Sequence, residues 1–172
     1  MKFKPAAYIA EMKGMVDAAI QKIAQENATF EIYTASIWTD ANAAASVINF
    51  DSKRNSDEKV SRSSEFNKEQ FAYWINRGDL VMAELFNQVT DRNCNPADFE
   101  LRDFMTIENS SVPHNWEIKT NGNCWSQLEP ALMEVGEYAF QKMRTLNINV
   151  DFELGVNGKL DWYQFTWPKR EL

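Results

Sequence analysis

Histidine occurs once and cysteine twice in this chain of 172 residues, and its six glycines are scattered. Each scarcity removes a class of chemistry. With His114 as the only imidazole, a tetrahedral zinc site would need carboxylates as well, and Cys94 and Cys124 stand in no CxxC or other metal spacing. A Cys/His dyad could be built only by pairing His114 with one of them, and no G-x-S-x-G elbow surrounds any serine. The glycines form neither G-x-G-x-x-G nor G-x-x-x-x-G-K, so no phosphate cradle is written. The expectation is no cofactor and no metal. No apolar run approaches the roughly 18 residues of a membrane span, and Glu11, Lys13 and Asp17 interrupt the stretch a signal peptide would keep apolar. The expected setting is therefore the cytosol, off the membrane, with both thiols reduced.

Basic residues are also outnumbered. Asp and Glu total 25 against 18 Lys and Arg, a formal net charge of −7, and such a field repels phosphate backbones. The densest basic stretch, Lys53-Arg54 with Lys59 and Arg62, is diluted by Asp51, Asp57, Glu58 and Glu65. Nucleic acid is not the expected partner. What the chain does have is ordinary globular composition, 44% hydrophobic and 25% charged, with six tryptophans. The length suits a single domain over 1–172.

Periodicity supplies the elements. Tyr8, Ile9, Met12, Val16, Ala19, Ile20 and Ile23 recur at helical steps after Pro5, predicting a core-facing helix that ends near Asn27. Thr29 to Trp38 and Ala44 to Asp51 alternate as strands around the turn-like Thr39-Asp40-Ala41-Asn42, a predicted hairpin. Ser52 to Glu65 is charged and Ser-rich with Val60 alone apolar, and reads as a mobile loop. Asn67 and Gln70 resemble a capping box before the stripe Phe71, Trp74, Ile75, Met82, Leu85, Val89, which one long helix with a weak spot or two helices meeting at Arg77-Gly78-Asp79 would both satisfy. The Arg-Gly-Asp tripeptide is read as a helix break only. Residues 97 to 108 alternate as a strand that Asp103 interrupts. A third helix carries Leu128, Leu132, Val135, Ala139, Met143 and Leu146, with Ser126 and Pro130 competing as start signals, and Gly136 in its stripe implies close packing against a neighbour. Val150 to Val156 and Leu160 to Trp167 alternate on either side of Asn157-Gly158, which predicts a tight type I′ hairpin whose last strand is covered on both faces. The fold class is α+β, a mainly antiparallel sheet of four or five strands with about three helices.

One charge cluster points to function. Between Asn95 and Glu117 lie Asp98, Glu100, Asp103, Glu108 and Glu117 against Arg102 alone, interleaved with Phe99, Phe104 and Trp116. Carboxylates that steer a basic protein, beside aromatics that anchor it, make a candidate partner interface of Asp98, Glu100, Asp103, Glu108, Phe104 and Trp116. The aromatic C-terminal strand is the other candidate. Paired acids such as Glu100 and Asp103, or Asp151 and Glu153, could also serve general acid–base chemistry, although acidic chains expose such pairs freely.

The order of elements resembles that of small bacterial immunity proteins that neutralise polymorphic or contact-dependent toxins. The resemblance rests on Ile32-Tyr33-Thr34-Ala35-Ser36-Ile37-Trp38-Thr39-Asp40, the Trp74 helix, and Phe152-Glu153-Leu154-Gly155-Val156-Asn157-Gly158-Lys159-Leu160-Asp161-Trp162. It implies a cytosolic, non-enzymatic inhibitor that binds a toxin domain, and it carries over no binding residue. Two other readings stand beside it. An adaptor or structural subunit would share its stability with a cellular complex. A small carboxylate-dependent hydrolase or transferase would need a concave pocket with converging acids.

Overall fold

The computed structural model describes residues 2–87 and 90–168; Val89, placed in a helical stripe above, lies outside them. The described residues form two compact units, one of 54–93 and one built from the chain on either side of it.

In the larger unit, helix α1 (Pro5–Glu26) starts with Pro5 in its first turn and ends at Asn27, whose N–H donates to the Ile23 carbonyl. Its apolar stripe buries Tyr8, Met12, Val16, Ala19 and Ile23. Strands β1 (Ile32–Thr39) and β2 (Ala45–Asp51) make the expected antiparallel hairpin. Asp40 closes its turn, with Oδ1 accepting from the Ala44 N–H at 2.8 Å. Strand β3 (Leu101–Glu108) pairs with β2, α5 (Trp125–Met143) returns the chain across the sheet, and β4 (Ile148–Val156) enters parallel to β1. Strand β5 (Phe165–Trp167) closes the order β3-β2-β1-β4-β5. The sheet is therefore five-stranded and mixed, because β4 reaches β1 through a helical crossover, which a parallel pair requires.

Helices α1 and α5 cover one face of this sheet. Ala35, Ile37, Ile48, Phe50, Leu154 and Val156 meet them in a single core. The helices are tied to each other by the Lys13–Glu134 pair at 2.7 Å and by Tyr138, whose hydroxyl donates to Asp17. Gly136 is where the close packing falls: a Cβ there would sit 2.3 Å from the Trp167 ring, which lies on the bare backbone. Neither competing start signal for α5 applies. The helix begins at Trp125 and holds Pro130 inside, while the Ser126 hydroxyl turns back to the Asn123 carbonyl.

The C-terminal hairpin differs from expectation. Strands β4 and β5 do pair antiparallel, Leu154 opposite Trp167, but residues 157–164 intervene as a loop. Gly158 does not take positive φ, so no type I′ turn forms. The reason is Asn157, which is buried and spends its amide on β1: Nδ2 donates to the Thr39 carbonyl and Oδ1 accepts from the Thr39 N–H, both at 2.8 Å. Its backbone N–H also donates to the Ile37 carbonyl, so Asn157 continues the run of β4 along β1 and the chain turns beyond it. The last strand is also an edge strand, not a central one, and its Trp167 covers Gly136.

The smaller unit is helical. Helix α2 (Lys53–Asn76) covers the segment expected to be a loop, and Asn67 and Gln70 lie inside it instead of capping it. Its polar sequence leaves only Ser56 buried among its residues, with Oγ accepting from the Asn93 N–H at 2.9 Å. Gly78, at φ +74, breaks the helix as the sequence indicated, and Asp79 caps α3 (Leu80–Glu84) by accepting from the Met82 N–H. Phe66 and Phe86 meet edge to face at 6.1 Å. A short α4 (Trp116–Thr120) belongs to the larger unit.

Candidate functional site

Strand β3 runs along one edge of the sheet, and its N-terminal end is irregular. Its register against β2 shifts between Ile48 and Phe50, and Asp103 takes φ +50 at that point. This is a bulge, with an Asp in the left-handed region that short polar residues tolerate best. Asn49 holds it: its Oδ1 accepts the Asp103 N–H at 2.7 Å. The alternation of a regular strand sends successive side chains to opposite faces. The bulge breaks that rule, and Arg102 and Asp103 line the same cavity.

That cavity measures about 320 Å³ and opens on the sheet face away from α1 and α5. Trp38 of β1, Val47 of β2, Pro96 and Ala97 of a single 3₁₀ turn (Pro96–Asp98), and Trp162 of the 157–164 loop give it apolar walls. Asn49, Asn95, Arg102 and Asp103 supply polar groups. Trp162 is 53% exposed and Trp38 is partly so. The loop is held in place by Tyr163, whose ring lies on Gly155 where a Cβ would come within 2.2 Å, and whose hydroxyl donates to the Ala35 carbonyl. Neither the Asp103 carboxylate nor the Arg102 guanidinium has an ion-pair or hydrogen-bond partner among the described residues.

The expected interface residues divide. Glu100 and Asp103 are exposed and Asp98 half-buried, all at the N-terminal end of β3. Asp98 accepts from Asn95 Nδ2 at 2.8 Å, and Glu100 accepts from the Ser52 hydroxyl while its own N–H donates to Asp51. Glu108 is exposed at the opposite end of the strand, about 17 Å from Asp103 at the rise of an extended chain. The aromatic members are not surface anchors. Trp116 is 4% exposed and packs at a tilt against Phe3 with centroids 4.4 Å apart, so it is a core residue. Phe104 is half-buried, packs edge-on against Phe50 and carries the Lys22 ammonium 4.6 Å above its ring. The run of acids and aromatics is continuous in sequence, but the aromatics turn inward. The tryptophans beside these acids are Trp38 and Trp162, and only the lapse of alternation at Asp103 hinted at the arrangement.

A second cavity of about 580 Å³ lies at the far end of β3 and includes His114, Glu108 and Asn115. Beside it the hydroxyls of Ser110 and Ser111 both donate to Glu11, at 2.5 and 2.8 Å. Burial opposes ionisation of Glu11, but these hydroxyls and the two backbone amides outweigh it and hold its carboxyl below the ordinary range. His114 is exposed, Cys94 partly buried and Cys124 fully buried. Among the described residues no three His, Cys, Asp or Glu side chains converge to hold a metal ion, and no helix is long and apolar enough to cross a membrane.

The chain matches no protein-family model, no curated protein and no solved structure.

Proposed function

We propose that this chain is a non-enzymatic protein-binding domain, an immunity protein that neutralises a cognate bacterial toxin in the cytoplasm by direct contact. The observation that carries the reading is the apolar surface of the helical unit. Phe66, Leu80, Val81 and Leu85 are each more than half exposed, Val81 reaching 79%, and Tyr73 and Ile75 stand close behind. A unit of this size has few apolar side chains to spare, and such concentrations mark surfaces that bind protein. The carboxylates at the bulged end of β3 give the sign of the partner's charge. Asp98, Glu100 and Asp103 against Arg102 favour a basic toxin surface and speed its approach.

The test is protection. Candidate toxin domains, chosen from the reading frames that flank the gene of this chain, are expressed in a sensitive host, with and without the chain. Restored growth, a complex recovered in fixed stoichiometry, and loss of both in a Leu80→Glu/Val81→Glu variant of unchanged thermal stability are expected. For the acids, Asp98→Asn, Glu100→Lys, Asp103→Asn and Glu108→Lys together should slow association at low salt, with the difference vanishing at high salt. A chain that restores no growth while properly folded would end the toxin reading.

A further inference from the structure

The cavity beside Asp103 has the composition of a cation site. Trp38 and Trp162 come from different elements and both face it, and no aromatic contact joins them to each other. Their rings are left with faces and edges to offer a ligand. Indole is the best of the side-chain π systems for a cation, and a guanidinium is the cation that also stacks flat on it. The carboxylate of Asp103 is exposed and uncommitted, on a backbone that Asn49 fixes at 2.7 Å in a left-handed conformation. Asp tolerates this conformation, and the bulge brings its carboxylate to the cavity wall. Arg102 also lines the cavity, but Asp98, Glu100 and Asp103 outnumber it around this end of β3.

We propose that this cavity is a guanidinium site, which seats one arginine side chain of a basic partner between Trp38 and Trp162 with its charge against Asp103. The identity of the occupant's owner rests on the reading of a basic protein partner; the site itself does not. A planar fork matches a carboxylate with two parallel hydrogen bonds, whereas a lysine ammonium would make a point contact. The cavity volume of about 320 Å³ leaves room for such a side chain.

The experiment needs no toxin. The full chain is labelled with ¹⁵N, and the indole N–H peaks of Trp38 and Trp162 are assigned by Trp38→Phe and Trp162→Phe. N-acetyl-arginine amide is titrated, with N-acetyl-citrulline amide as the uncharged isostere and N-acetyl-lysine amide (free side-chain ammonium) as the second cation. The proposal expects saturable movement of those two indole peaks by arginine amide, with a dissociation constant on the order of millimolar. Lysine amide should bind more weakly and citrulline amide more weakly still. Asp103→Asn should weaken arginine amide by roughly tenfold. This variant keeps the bulge, because Asn tolerates positive φ and the bond to Asn49 comes from the backbone. Equal binding by citrulline amide, indifference to Asp103→Asn, or no movement of either indole would each overturn the site. A positive titration beside a chain that protects against no toxin would leave the site standing and remove only the reading of its owner.

Discussion

Gly136 sets two effects against each other, and the structure decides between them. Replacing a helix-interior Gly with Ala ordinarily stabilises by about 1 kcal/mol, because Ala loses less backbone freedom. Here the added methyl would stand 2.3 Å from Cη2 and 2.4 Å from Cζ3 of Trp167. Carbon atoms pack at about 3.5–4 Å, so the ring must retreat by roughly 1 Å or more. Trp167 is 6% exposed, its Nε1 donates to Glu137 at 2.8 Å, and its backbone pairs with Leu154. A retreat therefore strains a hydrogen bond and a strand pair together, which belongs at the upper end of overpacking costs, about 3 kcal/mol. The net expectation for Gly136→Ala is a loss of about 2 kcal/mol, or roughly 4–8 °C in melting temperature for a chain of this size. Urea unfolding of Gly136→Ala, Trp167→Ala and the double variant forms a complete cycle. With the ring gone, the same Gly→Ala change should stabilise by up to about 1 kcal/mol. Destabilisation of similar size in both backgrounds would refute the reasoning, and so would a Gly136→Ala single variant that melts higher than the parent.

Three further outcomes follow from the same contacts. Asn157→Ala leaves the buried N–H and carbonyl of Thr39 unsatisfied, and should cost about 2–4 kcal/mol by chemical denaturation, whereas Asn157→Asp should restore only the half that accepts. Gly158→Ala should destabilise although φ there is not positive, because a Cβ would lie 2.1 Å from the Gln164 amide that accepts from Leu160 and donates to Glu129; recovery in a Gln164→Ala background would confirm the cause. Glu11 has a folded pKa below its ordinary value, so the unfolded chain binds the proton more readily and the contact's stability is fully present above the ordinary carboxylate pKa of about 4.3. That stability is lost as pH falls through the lowered folded value, and the gap between wild type and Glu11→Gln, measured by thermal melts across acidic pH, should close in that window.

Local signals in the sequence were reliable where a single element decides its own form. The stripe from Tyr8 to Ile23 gave α1, the alternation around Asp40 gave the β1–β2 hairpin, and Gly78 gave the break before α3. The parallel β1–β4 pair was not legible, because nothing near Ile32 or Ile148 records that they will meet. Helix α2 was missed over Lys53–Phe66 since a helix with almost nothing buried has no apolar stripe to read. Asn157-Gly158 misled for a different reason: its turn propensity is real, but two hydrogen bonds to Thr39 outweigh it. For the site, the carboxylates were visible as local charge. The tryptophans that accompany them were not, since Trp38 and Trp162 converge only once the sheet has brought both ends of the chain together.

The bulge at Asp103 also bears on self-association. Strand β3 is the long free edge of the sheet, and an unpaired edge invites a strand from another molecule to add to it, the route to fibrils and precipitates. An intruding strand would have to match a register that slips between Ile48 and Phe50, against a left-handed residue and a row of exposed charges at Glu100, Arg102, Asp103 and Glu108. The opposite edge, β5, offers only three residues. Smoothing β3 by deleting Asp103 would thus remove more than a cavity wall. It would hand the molecule a flat, extendable border, and self-association at high concentration is the behaviour it would acquire.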